Sequence, residues 1–174
     1  MSQIQIVVVM GVAGAGKTTV GQALAADLGW PFADADAFHS PASRAKMSAG
    51  IPLTDADRAP WLDRLAAWIA ERLAAGQTGV LACSALKEDY RRHLSGGRDE
   101  VLFVYLKADP ALLADRLLHR QGHFAKVSLL ESQLATLEEP REALVVDAAQ
   151  TPGEIVRGVR EAVLEAPRAD QQPR

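Results

Sequence analysis

One eight-residue stretch restricts the fold of this chain more than any other, GVAGAGKT at Gly11–Thr18. It follows the apolar run Ile4–Met10 and precedes a segment whose apolar residues recur every four positions. The stretch fits the pattern G-x-x-x-x-G-K-[ST], in which glycines let backbone N–H groups turn toward phosphate oxygens. A helix that begins there adds the positive end of its dipole. Because a strand precedes the stretch and a helix follows it, the sequence predicts a phosphate-binding loop rather than a chance match.

This loop predicts nucleotide binding, although it does not by itself identify the reaction. Lys17 offers a positive charge to the β- and γ-phosphates of ATP, and the Thr18 hydroxyl is a ligand for Mg²⁺. The residues expected to contact the ATP phosphates are Gly11, Val12, Ala13, Gly14, Ala15, Gly16, Lys17 and Thr18.

The rest of the chain alternates between predicted strands and predicted helices. Strands are expected at Ile4–Met10, Trp30–Asp34, Thr78–Ser84, Val101–Lys107 and Ala143–Ala148. Helical stripes are formed by Val20, Leu24 and Leu28; by Leu62, Leu65, Ile69 and Leu73; by Leu112, Leu113, Leu117 and Leu118; and by Ile155, Val159 and Val163. We expect the second of these helices to begin at Pro60 and to end at Gly76. The alternation predicts a three-layer α/β fold with a five-stranded parallel sheet flanked by helices.

Composition limits the classes of function. The 174 residues predict one domain, residues 1–165, followed by a disordered tail at 166–174. A net charge of −3, from 19 basic and 22 acidic residues, gives no basic surface for nucleic acid and no polybasic anchor for a membrane. The single cysteine, Cys83, excludes an internal disulfide and favours the reducing cytoplasm.

Two acidic residues, Asp34 and Asp36, lie at and just after the end of the weakest predicted strand, Trp30–Asp34. Two carboxylates this close repel each other unless a cation or hydroxyl donors lie between them. We expect Asp34 to act on Mg²⁺ through its outer sphere, and Asp36 to orient an acceptor hydroxyl and accept its proton. The alternatives are that Asp36 only positions the hydroxyl, or that the pair forms a solvated turn with Asp36 as a helix N-cap.

Three further stretches carry a resemblance to a known family. They are DADAFHSPASRAKMSAGIPLTDADRAPWLDRL (residues 34–65), CSALKEDYRRHL (83–94) and RQGHFAKVSLLESQLATLEEP (120–140). With these stretches the chain closely resembles the bacterial gluconate kinases, a branch of the P-loop kinases similar to nucleoside monophosphate kinases. Ser43 stands where that family's pattern has asparagine, and Ala125 where a bulkier apolar residue is usual.

The resemblance implies a P-loop kinase fold with a substrate-binding excursion, residues 39–76, and a lid, residues 120–126. It implies phosphorylation of D-gluconate by ATP and Mg²⁺ to 6-phospho-D-gluconate, which feeds the pentose phosphate or Entner–Doudoroff route. The partner is then a small molecule, with neither nucleic acid nor membrane involved. The sequence leaves the oligomeric state open, with a homodimer as one alternative.

A linear polyhydroxylated carboxylate needs a cation for its carboxylate and hydrogen-bonding groups for its hydroxyls. Candidate cations are Lys46, Arg58, Lys87 and Arg91. A guanidinium binds a carboxylate through two parallel hydrogen bonds, which favours Arg58 and Arg91. The alternative for each is a solvated surface charge. His39 is a candidate for a sugar hydroxyl, or else a structural residue.

Arg116 and Arg120 are four residues apart, so they share one helical face. We expect them to close over the ATP phosphates and to neutralise charge during transfer, with Gly122 as a hinge. The alternative is a basic helix C-terminus that complements the helix dipole.

Other functions stay open from the sequence alone. They are a relative of shikimate kinase, since that family also has D-x-D after its second strand; a nucleoside monophosphate kinase; and a nucleotide-binding regulatory module without transfer activity.

Overall fold

The computed structural model describes the backbone of residues 2–121 and 124–166, and the side chains of those residues except 121–127. Five strands are present: β1 (Ile6–Met10), β2 (Phe32–Asp34), β3 (Gly79–Ala82), β4 (Val101–Lys107) and β5 (Leu144–Asp147). The described helices are α1 (Lys17–Leu28), α2 (Pro41–Ser48), α3 (Asp55–Ala74), α4 (Glu88–Ser95), α5 (Pro110–Gln121), α6 (Phe124–Thr136) and α7 (Pro152–Glu165). A short 3-10 helix, Ala35–Phe38, follows β2.

The strands form one parallel sheet in the order β2-β3-β1-β4-β5. Every residue of the central strand β1 is buried, because helices cover both faces of the sheet. Val7 and Val9 face a core that includes Leu24 of α1 and Val159 of α7. Residues of β1 that point the other way pack with α3 and α4; these are Ile6, Val8 and Met10. The predicted three-layer α/β fold is therefore confirmed.

The parallel arrangement gathers the chemistry at one edge of the sheet. The carboxyl ends of β1, β2 and β3 lead into Gly11, Ala35 and Cys83, and β1 and β2 both pair with β3. Ligands of open parallel sheets bind outside this carboxyl edge. The phosphate-binding loop and the acidic pair therefore open onto the same side of the molecule.

The start of α3 differs from the prediction. The helix begins at Asp55, five residues before Pro60, and Pro60 lies inside it. Thr54 accepts a hydrogen bond from the Asp57 N–H, while the Asp57 carboxylate accepts one from the Thr54 N–H. This reciprocal capping box fixes the start of α3. Its T-x-x-D sequence could have predicted that start, whereas the prediction relied on Pro60.

Some predicted regions fall partly outside the described residues. Gly122, the predicted hinge, lies outside them, as do the side chains of lid residues 121–126 and tail residues 167–174. Among the helices that are described, none is long and apolar enough to cross a membrane.

Candidate active site at the carboxyl edge of the sheet

The predicted phosphate-binding loop connects β1 directly to α1. Gly14 and Gly16 have φ angles of 85° and 96°, in the left-handed region where a side chain would be strained. Gly16 is also the residue that precedes the first turn of α1, so N–H groups at the start of this helix face the loop. The loop therefore has the strand, glycine turn and helix N-terminus that a phosphate cradle requires.

Lys17 lies within this cradle as the first residue of α1. Its ammonium group donates a hydrogen bond of 3.1 Å to the Val12 carbonyl, across the loop. Burial lowers the pKa of Lys17, and the neighbouring Cys83 and Asp36 oppose that change. Asp34 also raises the pKa of Lys17, whereas the positive charge of Arg120 lowers it. The predicted lysine, acidic pair and lid arginine thus share one electrostatic neighbourhood.

Asp34 connects the end of β2 to the cradle. Its Oδ2 accepts a hydrogen bond of 3.0 Å from the Thr18 hydroxyl, and its Oδ1 accepts one of 3.0 Å from the Asp36 N–H. Asp34 therefore caps the 3-10 helix that carries Asp36. The capping alternative had assigned this role to Asp36 and is wrong in that respect. Asp36 is exposed, and within the described part of the chain no group donates to its carboxylate.

The excursion holds the 3-10 helix through three hydrogen bonds to its carbonyls. Trp61 Nε1 of α3 donates to the Ala35 carbonyl at 2.7 Å. Arg44 of α2 donates to the Ala37 carbonyl at 2.8 Å, and Arg64 of α3 donates to the Phe38 carbonyl at 2.8 Å. Sequence reasoning missed these three donors, because nothing in their spacing identifies a carbonyl of another segment as the acceptor. The excursion therefore sets the position of Asp36.

His39 lies between the acidic pair and the excursion. Its ring stacks on the buried Trp61, with centroids 4.4 Å apart and the planes 9° from parallel. Burial lowers the pKa of His39, partly opposed by Asp36. His39 Nδ1 is buried and has no hydrogen-bond partner in the described structure. His39 is consequently neutral at pH 7, with its imidazole held beside the turn that bears Asp36.

Two of the four candidate cations, Arg58 and Lys87, meet at one acidic side chain, Asp55. Arg58 Nη1 lies 3.6 Å from Asp55 Oδ1, and Lys87 Nζ lies 3.4 Å from the same oxygen. Tyr90 donates to it at 2.6 Å, and this bond, followed by Lys87, lowers the pKa of Asp55. Asp55 and Tyr90 carry no motif that would have pointed to this cluster. The excursion and the segment after β3 thus contribute one cation each to a shared position.

The other two candidate cations are held by internal partners. Lys46 bonds both oxygens of Asp57 at 2.9 and 3.0 Å. The pKa of Asp57 falls to about 2, mainly through the Thr54 N–H and then through Lys46.

Arg91 is buried, and its guanidinium donates to the carbonyls of Ala85 and Glu138 and to the Glu88 carboxylate. Ala85 has a φ of 46°, rare for a residue with a side chain. Arg91 therefore stabilises a strained turn after β3.

Arg116 and Arg120, the predicted lid arginines, line a cavity of about 380 Å³ beside the cradle. Arg116 donates to the Ala148 carbonyl at 2.6 Å and to the Ala15 carbonyl at 3.5 Å. Arg120 is exposed. The remaining walls come from the cradle, α1, α5 and the segment after β5; they include Gly14, Thr19, Val20, Gln150 and Ile155. The cavity therefore continues the phosphate cradle toward β5.

The chain is similar to known proteins in both sequence and structure. The family model described as "Shikimate kinase" matches residues 13–161. A gluconokinase of Gluconobacter oxydans (strain 621H) is 54% identical over 136 residues, covering 78% of this chain and 76% of the relative. A probable gluconokinase of Mus musculus is 42% identical over 91% of this chain and 97% of the relative. The thermosensitive gluconokinase of Escherichia coli (strain K12) is 38% identical, covering 90% and 86%.

Solved structures agree with these relatives. A gluconokinase from Sinorhizobium meliloti 1021 superposes with a TM-score of 0.82 at 46% identity, covering 94% of each chain. A sugar kinase from Janibacter sp. HTCC2649 gives a TM-score of 0.83 at 46% identity, covering 93% of this chain and 95% of that one. A shikimate kinase from Acinetobacter baumannii gives a TM-score of 0.57 at 19% identity, a likeness of fold alone.

Proposed function

The chain belongs to the gluconokinase family, and on that premise we propose that it transfers the γ-phosphoryl group of ATP to the 6-hydroxyl of D-gluconate. The products are ADP and 6-phospho-D-gluconate. The observation that carries the proposal is the 3.0 Å contact between Thr18 and Asp34. This contact brings the end of β2, and with it the 3-10 helix that carries Asp36, against the phosphate cradle. A kinase needs this juxtaposition of acceptor and phosphate.

ATP fits the cradle and the cavity that continues it. The loop Gly11–Thr18 would hold the triphosphate, and the cavity of about 380 Å³ beside Arg116 and Arg120 would receive the nucleoside. Arg116 is bonded to two backbone carbonyls, so it shapes the cavity wall. Arg120 is exposed at the same cavity and, after the larger effect of burial, its positive charge also lowers the pKa of Lys17. We therefore propose that Arg120, in preference to Arg116, supplies the positive charge over the phosphates.

The residues beside the cradle also fit Mg²⁺. The Thr18 hydroxyl and the Asp34 carboxylate present oxygen ligands 3.0 Å apart, and hard divalent cations prefer oxygen. Thr18 would hold the ion directly, and Asp34 would act from the outer sphere. When bound, Mg²⁺ neutralises charge on the β- and γ-phosphates.

Asp36 is the group that receives the acceptor proton. Its carboxylate is exposed, lies near Lys17, and has no donor within the described ranges. As the 6-oxygen forms its bond to the γ-phosphorus, the bond from that phosphorus to ADP breaks and the hydroxyl proton passes to Asp36. His39 then lies beside the sugar as a neutral hydrogen-bonding group.

The gluconate carboxylate binds at the other end of the site, at Arg58 and Lys87. These cations come from the excursion and from the segment after β3, and they already share one carboxylate, Asp55. Arg91 and Lys46, the remaining candidates, hold the segment after β3 and the start of α3. Arg58 is therefore the preferred fork for the carboxylate.

Arg58→Ala should raise the KM for gluconate about 10- to 100-fold, because a charge-assisted hydrogen bond contributes about 1.5–3 kcal/mol. The KM for ATP should stay near the wild-type value. Steady-state kinetics with each substrate varied in turn measures both. Arg98→Ala is the matched control, since Arg98 is exposed just before β4 at the amino edge of the sheet. An unchanged gluconate KM in Arg58→Ala would remove this assignment.

The function itself is tested by ADP release in a coupled assay with ATP and Mg²⁺. Gluconate, shikimate and AMP are compared in parallel at equal concentration. We expect ADP release with gluconate alone. Release with shikimate in place of gluconate would support the shikimate kinase alternative. No release with any of the three, together with tight ATP binding, would support the regulatory module.

Closure of the site is a further part of the proposal. Arg120, the first residue of the predicted lid (120–126), lines the cavity beside the cradle, and the excursion (39–76) holds the turn that bears Asp36. A kinase must exclude water from the γ-phosphate. We expect amide hydrogen exchange in both segments to slow when a non-hydrolysable ATP analogue and gluconate are bound together. Exchange that is unchanged in both segments would contradict closure.

A cytoplasmic location suits an ATP-consuming enzyme whose only cysteine is buried and has a pKa raised to about 12 by that burial. A homodimer stays a prediction, which light scattering of the purified chain would test.

A further inference from the structure

The phosphate cradle is contacted from outside by α5 and α6, the two helices that overlap the predicted lid segment, 120–126. The Ala13 N–H, in the middle of the loop, donates a hydrogen bond of 2.7 Å to Gln133 Oε1 of α6. The two residues are 120 positions apart. Gln133 and Ala13 are both half-buried, so this bond is shielded from water on one side.

The next two loop residues contact α5. A Cβ atom on Gly14 would lie 3.0 Å from the Leu113 carbonyl oxygen and 3.2 Å from Leu117 Cγ, so the loop backbone packs directly on this helix. The Ala15 carbonyl accepts the 3.5 Å hydrogen bond from Arg116. The loop residues Ala13, Gly14 and Ala15 are therefore each in contact with α5 or α6.

The chemistry of the contact explains why the side chain is a glutamine. A backbone N–H needs an acceptor, and an amide oxygen supplies one without charge. A carboxylate in the same place would also accept the bond, but it would lie beside the position of the ATP phosphates and repel them. Methionine would have nearly the same length and would leave the Ala13 N–H without an acceptor.

We propose that Gln133 is a positioning residue for the nucleotide: it fixes the Ala13 peptide, and through it the following loop N–H groups, in the orientation that binds phosphate. This inference rests only on the nucleotide-binding half of the proposed function. Gln133 acts through the loop and does not touch the acceptor.

The test compares three variants in ADP binding, measured by titration calorimetry, and in amide exchange at Ala13, measured by NMR. Gln133→Met removes the acceptor and should weaken ADP binding about 5- to 20-fold. The Ala13 amide should exchange at least about tenfold faster than in the wild type. Glu131→Gln, an exposed change on the same helix, is the control and should alter neither quantity.

Gln133→Glu separates the hydrogen bond from charge. It keeps the acceptor, so exchange at Ala13 should stay slow. Its loss of ADP affinity should shrink as NaCl is raised, because salt screens the repulsion of the phosphates. The loss in Gln133→Met should persist at the same salt concentrations.

Wild-type ADP affinity in a folded Gln133→Met variant would overturn the proposal, as would unchanged exchange at Ala13. If Gln133→Met does not fold, Gln133→Glu decides: fast exchange at Ala13, or a salt-independent loss of affinity, would also overturn it. Because no arm contains gluconate, a failure here is distinct from a failure of the proposed reaction.

Discussion

Replacement of Lys17 by alanine is expected to lower kcat by about 10³-fold or more. Lys17 is the charge inside the cradle, bonded to the Val12 carbonyl and near both acids of the D-x-D pair. Phosphoryl transfer depends on charge held in place around the γ-phosphate, and removing even one such donor costs other enzymes about 10²–10³-fold. Arg98→Ala again provides the matched removal of a cation distant from the site.

The same substitution should leave the free energy of unfolding unchanged or increase it. Burial lowers the pKa of Lys17, so the folded state binds this proton less strongly than the unfolded state does. Such a group lowers stability when it is charged, and the stability returns as pH rises through its folded-state pKa. Urea denaturation at pH 7 measures this. Near-normal turnover in Lys17→Ala would remove its phosphate role, and a large loss of stability would show that its side chain holds the fold.

The second large effect is expected at the acidic pair, where the two substitutions should fail differently. Asp36→Asn keeps the size of the side chain and removes the charge, so it should lower kcat about 10²–10⁴-fold with ATP binding nearly unchanged. Asp34→Asn should instead raise the Mg²⁺ concentration needed for half-maximal activity, and excess Mg²⁺ should partly restore the rate. Steady-state kinetics of both variants over a Mg²⁺ series measures these effects.

Two other outcomes are informative for this pair. A small loss of kcat with a raised gluconate KM in Asp36→Asn would mean that Asp36 positions the hydroxyl without accepting its proton. Asp34 also caps the 3-10 helix, and asparagine caps as well as aspartate does, so Asp34→Asn should leave the free energy of unfolding nearly unchanged. Two active variants that are indifferent to Mg²⁺ would contradict the assigned chemistry and leave capping as the role of Asp34.

Local sequence was enough to predict the frame of this fold. Each strand was marked by its own apolar run, and the glycine loop was marked by residues that adjoin one another, because these features depend on backbone conformation and burial along one segment. Asp34 and Asp36 could be placed near the cradle for the same reason, since parallel strands end at one edge of the sheet.

Contacts between distant segments could not be predicted in this way. Arg58 and Arg91 look equivalent in the sequence, yet one joins Lys87 at Asp55 and the other is buried against Ala85 and Glu138. Gln133 likewise gave no local signal, because its partner is a backbone N–H 120 residues away. The difference between these side chains is set by tertiary packing.

The shikimate kinase family model and the gluconokinase relatives match this chain at different degrees of similarity. The model covers residues 13–161, which include most of the cradle and the strands β2 to β5. The shikimate kinase structure shares the fold at 19% identity, whereas the gluconokinase structure shares 46%. We propose that the excursion determines substrate choice, because Arg58 lies in it and its helix α3 holds the Asp36 turn.

The identity of the phosphorylated product tests the central claim most directly. The purified chain is incubated with ATP, Mg²⁺ and gluconate, and the product is examined by two-dimensional phosphorus–proton NMR. We expect one new phosphomonoester whose phosphorus correlates with the two methylene protons at C6. We expect no such signal when gluconate is left out, or when the Asp36→Asn variant is incubated for the same time. A phosphorus that correlates with a single methine proton, or ADP formed at the same rate without gluconate, would contradict the central claim.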